Sequence, residues 1–171
     1  MEAVPGVRHI AALVDVNTTT VAQFQALQVA ARARGIELSI LQVSSRDDIA
    51  PAIDAATQSG VQALNVLASA LLFNNRAIVL QRVGALRLPA IYQWPEIAEH
   101  EGLLGYGPRI VHIYRDIIAR QVIKVLHGTS PAVIPVEQPT NFELVVNLRA
   151  ARAIGHEVPA GLVLRANTVV E

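Results

Sequence analysis

The chain has 171 residues, 52% of them hydrophobic but only 4% aromatic, and its 14 Lys and Arg balance 14 Asp and Glu. This is about one domain with an aliphatic core, and its balanced charge argues against nucleic acid as the main partner, because phosphate contacts need a basic surface. With no cysteine there is no disulfide, thiolate zinc site or thiol nucleophile, and no apolar run reaches the roughly 18 residues of a membrane span.

The opening residues, MEAVPGVRH, have no basic region followed by an apolar one, so read alone the chain is expected to stay in the cytoplasm. Residues 9–16 form an aliphatic run that stops at Asn17, as a buried strand does. Thr18, Thr19 and Thr20 offer N-caps to a helix that Gly35 ends. A strand follows over 36–43. Ser44 or Ser45 then caps a second helix, with Asp47 and Asp48 in its first turn, closing near Gly60.

The alternation continues with strands over 61–67, 88–92 and 103–106, and with helices over 71–84 and 95–100. Pro108 suits the first turn of a long helix ending at Gly128. Strands alternating with helices imply right-handed crossovers and a parallel, doubly wound α/β sheet. The expected strand order is flavodoxin-like, 2-1-3-4-5. Beyond Gly128 the rhythm breaks: Pro131, Pro135 and Pro139 demand an extended path. A strand over 142–146 and a short helix over 148–154 follow, and the tail VPAGLVLRANTVVE reads as a strand-like excursion with a terminal turn.

In open α/β sheets ligands sit beyond the carboxyl ends of the strands. That rule nominates Asn17, Thr18, Ser44, Ser45, residues 68–70, residues 92–94 (Tyr92, Gln93 and Trp94) and Tyr106, whose hydroxyls, amides and rings suit a small polar or amphipathic molecule. The serines and threonines are equally good helix caps. For Tyr92, Trp94 and Tyr106, stacking on a planar ligand and burial against the next helix are both open readings.

Other chemistry finds little support. His9, His100, His112, His127 and His156 show no i, i+4 metal spacing. Asp15 inside a strand suggests the acidic pocket of a response regulator, but 6–10 (GVRHI) has no acidic pair and Lys124 is the only lysine. The glycines around Tyr106 lack a phosphate-binding pattern. No nucleophile stands beside a base, so the expectation is a protein that is not an enzyme and needs no metal or cofactor.

Two blocks, LPAIYQWPEIAEHEGLLGYGP at 88–108 and PVEQPTNFELVVNLRAARAIG at 135–155, occur with EAVPGVRHIAALVDVN, FNNRAIVLQ and VPAGLVLRA in a set order. Together they resemble the bacterial ABC-transporter substrate-binding proteins of the tryptophan/tyrosine type, whose fold is that of the type I periplasmic binding proteins. The resemblance covers essentially the whole chain but implies only the second, C-terminal lobe of a two-lobe protein. On it, residues 1 to about 103 form most of that lobe and 105–108 cross toward the first. Residues 109–127 belong with the first lobe, and Phe142 onward rejoins the second.

By the same resemblance the ligand is a small molecule such as an amino acid, held by Asn17, Thr18, Ser69, Tyr92, Trp94 and Tyr106. The partner is an ABC permease with its ATPase, and the setting is periplasmic or extracytoplasmic. The chain departs from the family in having Asn17-Thr18 for Asn-Pro and Ala68-Ser69-Ala70 for a Ser-Asp-Pro-like turn. The second change removes a carboxylate that would meet a ligand amine. Without a first lobe, the helix over 108–127 exposes Ile110, Ile113, Ile117, Val122 and Val125, which predicts a homodimer through that helix. The alternative is a stand-alone regulatory or oligomerising α/β domain that binds no ligand.

Overall fold

The computed structural model describes residues 2–171. Its first strand, β1 (His9–Asp15), is flanked by β2 (Glu37–Val43) and β3 (Ala63–Val66), both parallel to it. The sheet continues through β4 (Ala90–Tyr92), β5 (Leu104–Gly107), β6 (Glu143–Asn147) and β7 (Thr168–Val170), in the order β2-β1-β3-β4-β5-β6-β7. The expected order of the first five strands therefore holds, as does the α/β class. The β5–β6 pairing is antiparallel, with Gly107 opposite Glu143. The chain leaves through the carboxyl end of β5 and re-enters at the same edge, so no crossover intervenes and the pair must run in opposite directions.

Helices α1 (Val21–Arg32), α2 (Ile49–Gln58), α3 (Ala70–Asn74), α4 (Arg76–Ala85) and α5 (Pro95–His100) connect the first five strands. Thr20 is the residue that caps α1, in a reciprocal box with Gln23. The single helix expected over 71–84 is broken at Asn75, whose side-chain Nδ2 donates to the Leu71 carbonyl at 2.8 Å. Such local bonds compete with the helical ladder.

One face of the sheet, carrying Leu13, Leu64, Val66 and Tyr92, packs against Ile49 and Ile53 of α2, Leu72 of α3, Val79 and Val83 of α4 and Ile97 of α5. Leu104 and Val146 pack with Ala151 of α8 (Leu148–Ile154) and Leu162 of α9 (Ala160–Val163). The tail thus forms a helix and then a sheet strand, the reverse of the expected excursion and turn. β6 already offers an open ladder, and the α8–α9 crossover delivers β7 parallel to it. Asn147, fully buried, accepts from Ala150 N and donates to the Ala98 carbonyl, both at 2.8 Å, so it starts α8 and ties it to α5.

Between β5 and β6 stands a helical arm: α6 (Ile110–His112), a π-helical stretch (Ile113–Ile118) and α7 (Ala119–Leu126). None of its side chains is buried. Pro108 lies before the helix and not in its first turn, because Arg109, with φ −71° and ψ 132°, is the cap. The return path carries a short 3₁₀ turn (Pro131–Val133) and then runs extended to β6.

Candidate functional site at the carboxyl edge of the sheet

Because β1, β3, β4 and β5 are parallel neighbours, their carboxyl ends share one edge. Asp15, 4% exposed, organises the first loop. Its Oδ1 accepts from Asn17 N at 2.9 Å and from Asn17 Nδ2 at 3.1 Å, while its carbonyl accepts from Thr18 N and Thr19 N. Asn17 Nδ2 also donates to the Ser44 carbonyl at 3.3 Å, linking the loops after β1 and β2. Both amide protons are thus engaged, which leaves the Asn17 carbonyl oxygen as the free polar group. Thr18 is exposed, with its hydroxyl directed at the Asp15 carbonyl at 3.4 Å.

Ser69 caps α3, its Oγ accepting from Leu72 N at 3.0 Å, so its own proton is still available to donate. Next to it Gln93 Oε1 accepts from Ala68 N at 3.0 Å and joins the loops after β3 and β4. Trp94 is half-buried, edge-on to Phe73 with ring centroids 6.4 Å apart. Tyr106 is 53% exposed and pairs with Phe142, itself 51% exposed, at 5.9 Å.

Tyr92 does not belong with these. It is 2% exposed, sits in the core, and the edge of its ring fills the space where Gly102 has no Cβ. Burial also pushes its hydroxyl well above the ordinary tyrosine range. Of the two readings for this ring, burial against the neighbouring elements is the one realised, and it presents no stacking surface. Ser44 and Ser45 serve the turn before α2, their backbone N–H groups donating to Asp48 Oδ2.

Phe142 joins the edge although the strand-end rule does not nominate it, whereas Gln93 belongs to the nominated span 92–94 and acts there through its bond from Ala68 N. Phe142 lies past the proline-rich return, and only the antiparallel pairing of Tyr106 with Leu144 brings it alongside. Among the described residues no three His, Cys, Asp or Glu side chains gather as a metal site. Two roomier grooves lie along the arm. One, of about 420 Å³, is lined by Arg109, His112, Asp116, Arg120 and Glu137, and the other, of about 530 Å³, mainly by apolar residues such as Ile117, Val122 and Ile134.

At the root of the arm Arg109 Nη2 donates to Glu99 Oε1 at 2.7 Å and its Nε to Glu143 Oε2 at 2.6 Å. These two carboxylates, Glu99 first, hold the guanidinium pKa above its ordinary value. Glu96 Oε1 accepts from Ile110 N at 2.8 Å, where the arm's helix begins.

Residues 1–170 match the family described as ABC transporter substrate binding protein. None of the curated proteins matches the chain. Among solved structures it is similar to a conserved domain protein from Vibrio cholerae O1 biovar El Tor, at 20% identity and a TM-score of 0.89 over 98% of this chain and 56% of that one. A Streptococcus pneumonia ABC domain in complex with L-Trp gives 21% identity and a TM-score of 0.86 over 99% and 57%. A ligand-free, open substrate-binding protein with adhesive properties from Clostridium difficile gives 20% and 0.66 over 97% and 55%. At these identities the likeness is one of fold, and the chain spans a little over half the length of each.

Proposed function

We infer, for a chain that belongs to the ABC transporter substrate-binding protein family, that it is a solute-binding component of an ABC-type transport system. It takes a small molecule, such as an amino acid, at the carboxyl edge of its sheet. The observation that carries this reading is that the edge presents exposed polar and aromatic groups within a family of binding proteins, not of enzymes. The Asn17 carbonyl oxygen and the Thr18 and Ser69 hydroxyls meet the polar end of the ligand. Tyr106 with Phe142, and the open edge of Trp94, meet its apolar or planar part. The L-Trp in the Streptococcus pneumonia neighbour supports a ligand of this size and character.

In this reading the chain supplies the second of two lobes, and the arm over 108–127 packs on the first. The partner is an ABC permease and the site of action extracytoplasmic, as the family implies. No helix among the described residues is long and apolar enough to cross a membrane.

The test is thermal melting against a panel of amino acids, small aromatic acids, peptides and nucleosides. A ligand at ~100 times its Kd stabilises the native state by about 2.7 kcal/mol, a resolvable rise in midpoint. A selective, saturable shift that Tyr106→Ala and Phe142→Ala remove is the expected result. A flat panel sinks ligand binding by this chain alone and favours the second reading, a regulatory or oligomerising domain. One observation favours that reading: Val111, Ile118, Val122, Ile123 and Leu126 of the arm are all exposed. It predicts a homodimer through the arm, and a monomer by light scattering at micromolar concentration rules it out.

A further inference from the structure

We propose that Arg109 is a latch that fixes the direction in which the helical arm leaves the sheet. The arm is joined to the body at two points only, where β5 runs out and where β6 runs in. On the outgoing side the strand has no freedom: a Cβ on Gly107 would fall 1.9 Å from the Gln93 carbonyl oxygen, so the backbone lies flush against that loop. Pro108 then has a fixed φ. Arg109, extended at ψ 132°, is the single residue between this rigid stretch and the helix that starts at Ile110. A turn about that residue swings the whole arm.

Side-chain burial offers little resistance to such a swing, because no residue of the arm's helix is fully buried. What resists it is polar. The Arg109 guanidinium reaches back to Glu99 on α5 and across to Glu143 at the start of β6, with both bonds 2.7 Å or shorter. Its side chain is 18% exposed, so the pairs are partly desolvated and geometrically fixed, unlike ion pairs free in water. Glu96, one turn before Glu99 on α5, accepts from Ile110 N and holds the first helical amide. Three carboxylates on two body elements thus grip the two residues at the pivot. Farther along, Glu137 of the return path pairs with Arg120 and with Lys124, which ties the arm to its own return and not to the body.

The latch is independent of any ligand, and it makes Arg109 a positioning residue. A lysine replaces it only in part, since it keeps the charge but lacks the planar fork that spans two carboxylates.

The absence of native cysteine allows site-specific spin labels at Gln58→Cys on the body and Ser130→Cys beyond the arm's helix. Pulsed electron spin resonance then reads the distance between them. The expected result is one narrow distribution in the labelled parent, a broadened and displaced one in Arg109→Gln and in the Glu99→Gln, Glu143→Gln pair, and an intermediate one in Arg109→Lys. The sheet should melt as cooperatively as before in all of them. An unchanged distribution in both Arg109→Gln and the double glutamine variant overturns the latch. So does broadening that appears only with loss of the cooperative melt, which would make Arg109 an ordinary structural residue.

Discussion

The sheet with its helices and the arm over 110–126 are built from the same aliphatic residues, yet the two regions treat them differently. In α2 and α4, Ile49, Ile53 and Val79 are fully buried against the sheet. In the arm, Val111, Ile118, Val122, Ile123 and Leu126 face solvent, and Ile110, Ile113 and Ile117 are only half covered. The periodicity of apolar residues announces a helix with a face to bury, but it does not say what buries it. For α2 and α4 the partner is the sheet, brought there by the crossover. The arm leaves from a strand end, so no sheet face of this chain lies beneath it.

The largest expected effect separates the two regions directly. Ile53→Ala removes a fully buried side chain from the main cluster and should cost about 4 kcal/mol in urea unfolding. Val122→Ala on the exposed arm should change stability by no more than about 0.5 kcal/mol. If Val122→Ala proved as costly as Ile53→Ala, the arm's apolar face would be covered in solution, and the contrast between the regions would collapse.

A somewhat smaller effect tests the boundary between them. Gly107 ends β5 with its Cα against the Gln93 carbonyl, and an added methyl meets backbone, which cannot move aside as a flexible side chain would. Gly107→Ala should cost about 3 kcal/mol, the upper part of the overpacking range. It should also disturb the Ala68–Gln93 bond at the candidate site, visible as a shifted Ala68 amide resonance. A stable protein with an unmoved Ala68 signal would mean that the junction is looser than the close approach requires.

The same division explains what was legible in the sequence. The alternation of aliphatic runs and capped helices dictated the parallel part of the sheet, because each crossover is short and one-handed. The short helix at Pro95–His100 was readable from the same alternation, whereas the first-turn proline argument failed at Pro108, which lies before its helix. The antiparallel β6 and the closing β7 were not readable as sheet neighbours, since their place depends on where an arm without buried side chains returns. At the candidate edge the loop residues Asn17, Thr18 and Ser69 are positioned by strand order alone. Tyr92 was ambiguous because its rank along β4 does not tell which face has room for a ring, and the space that settles it comes from Gly102.

The smallest effect concerns two carboxylates, one in each region. Asp48 closes the turn before α2, accepting from Ser44 N, Ser44 Oγ and Ser45 N at 2.9–3.0 Å, and these bonds, Ser44 N foremost, lower its pKa to about 2. A folded pKa below the unfolded value of about 3.9 means the ionised group stabilises the fold above that value. The contribution fades as pH falls through about 2. The melting-temperature gap between the parent and Asp48→Asn should therefore be full at neutral pH and close toward pH 2. Asp116 on the arm is also lowered, chiefly by its bond to Arg115, but both of those side chains are more than half exposed. Its partner is a solvated charge on a flexible stem, whereas the donors to Asp48 are backbone and hydroxyl groups fixed by the turn. Salt at about 0.5 M screens exposed charges within a few ångströms. It should erase the difference between the parent and Asp116→Asn while leaving most of the Asp48→Asn gap. Equal salt sensitivity at the two positions would show that the Asp48 shift comes from surrounding charge and not from the turn.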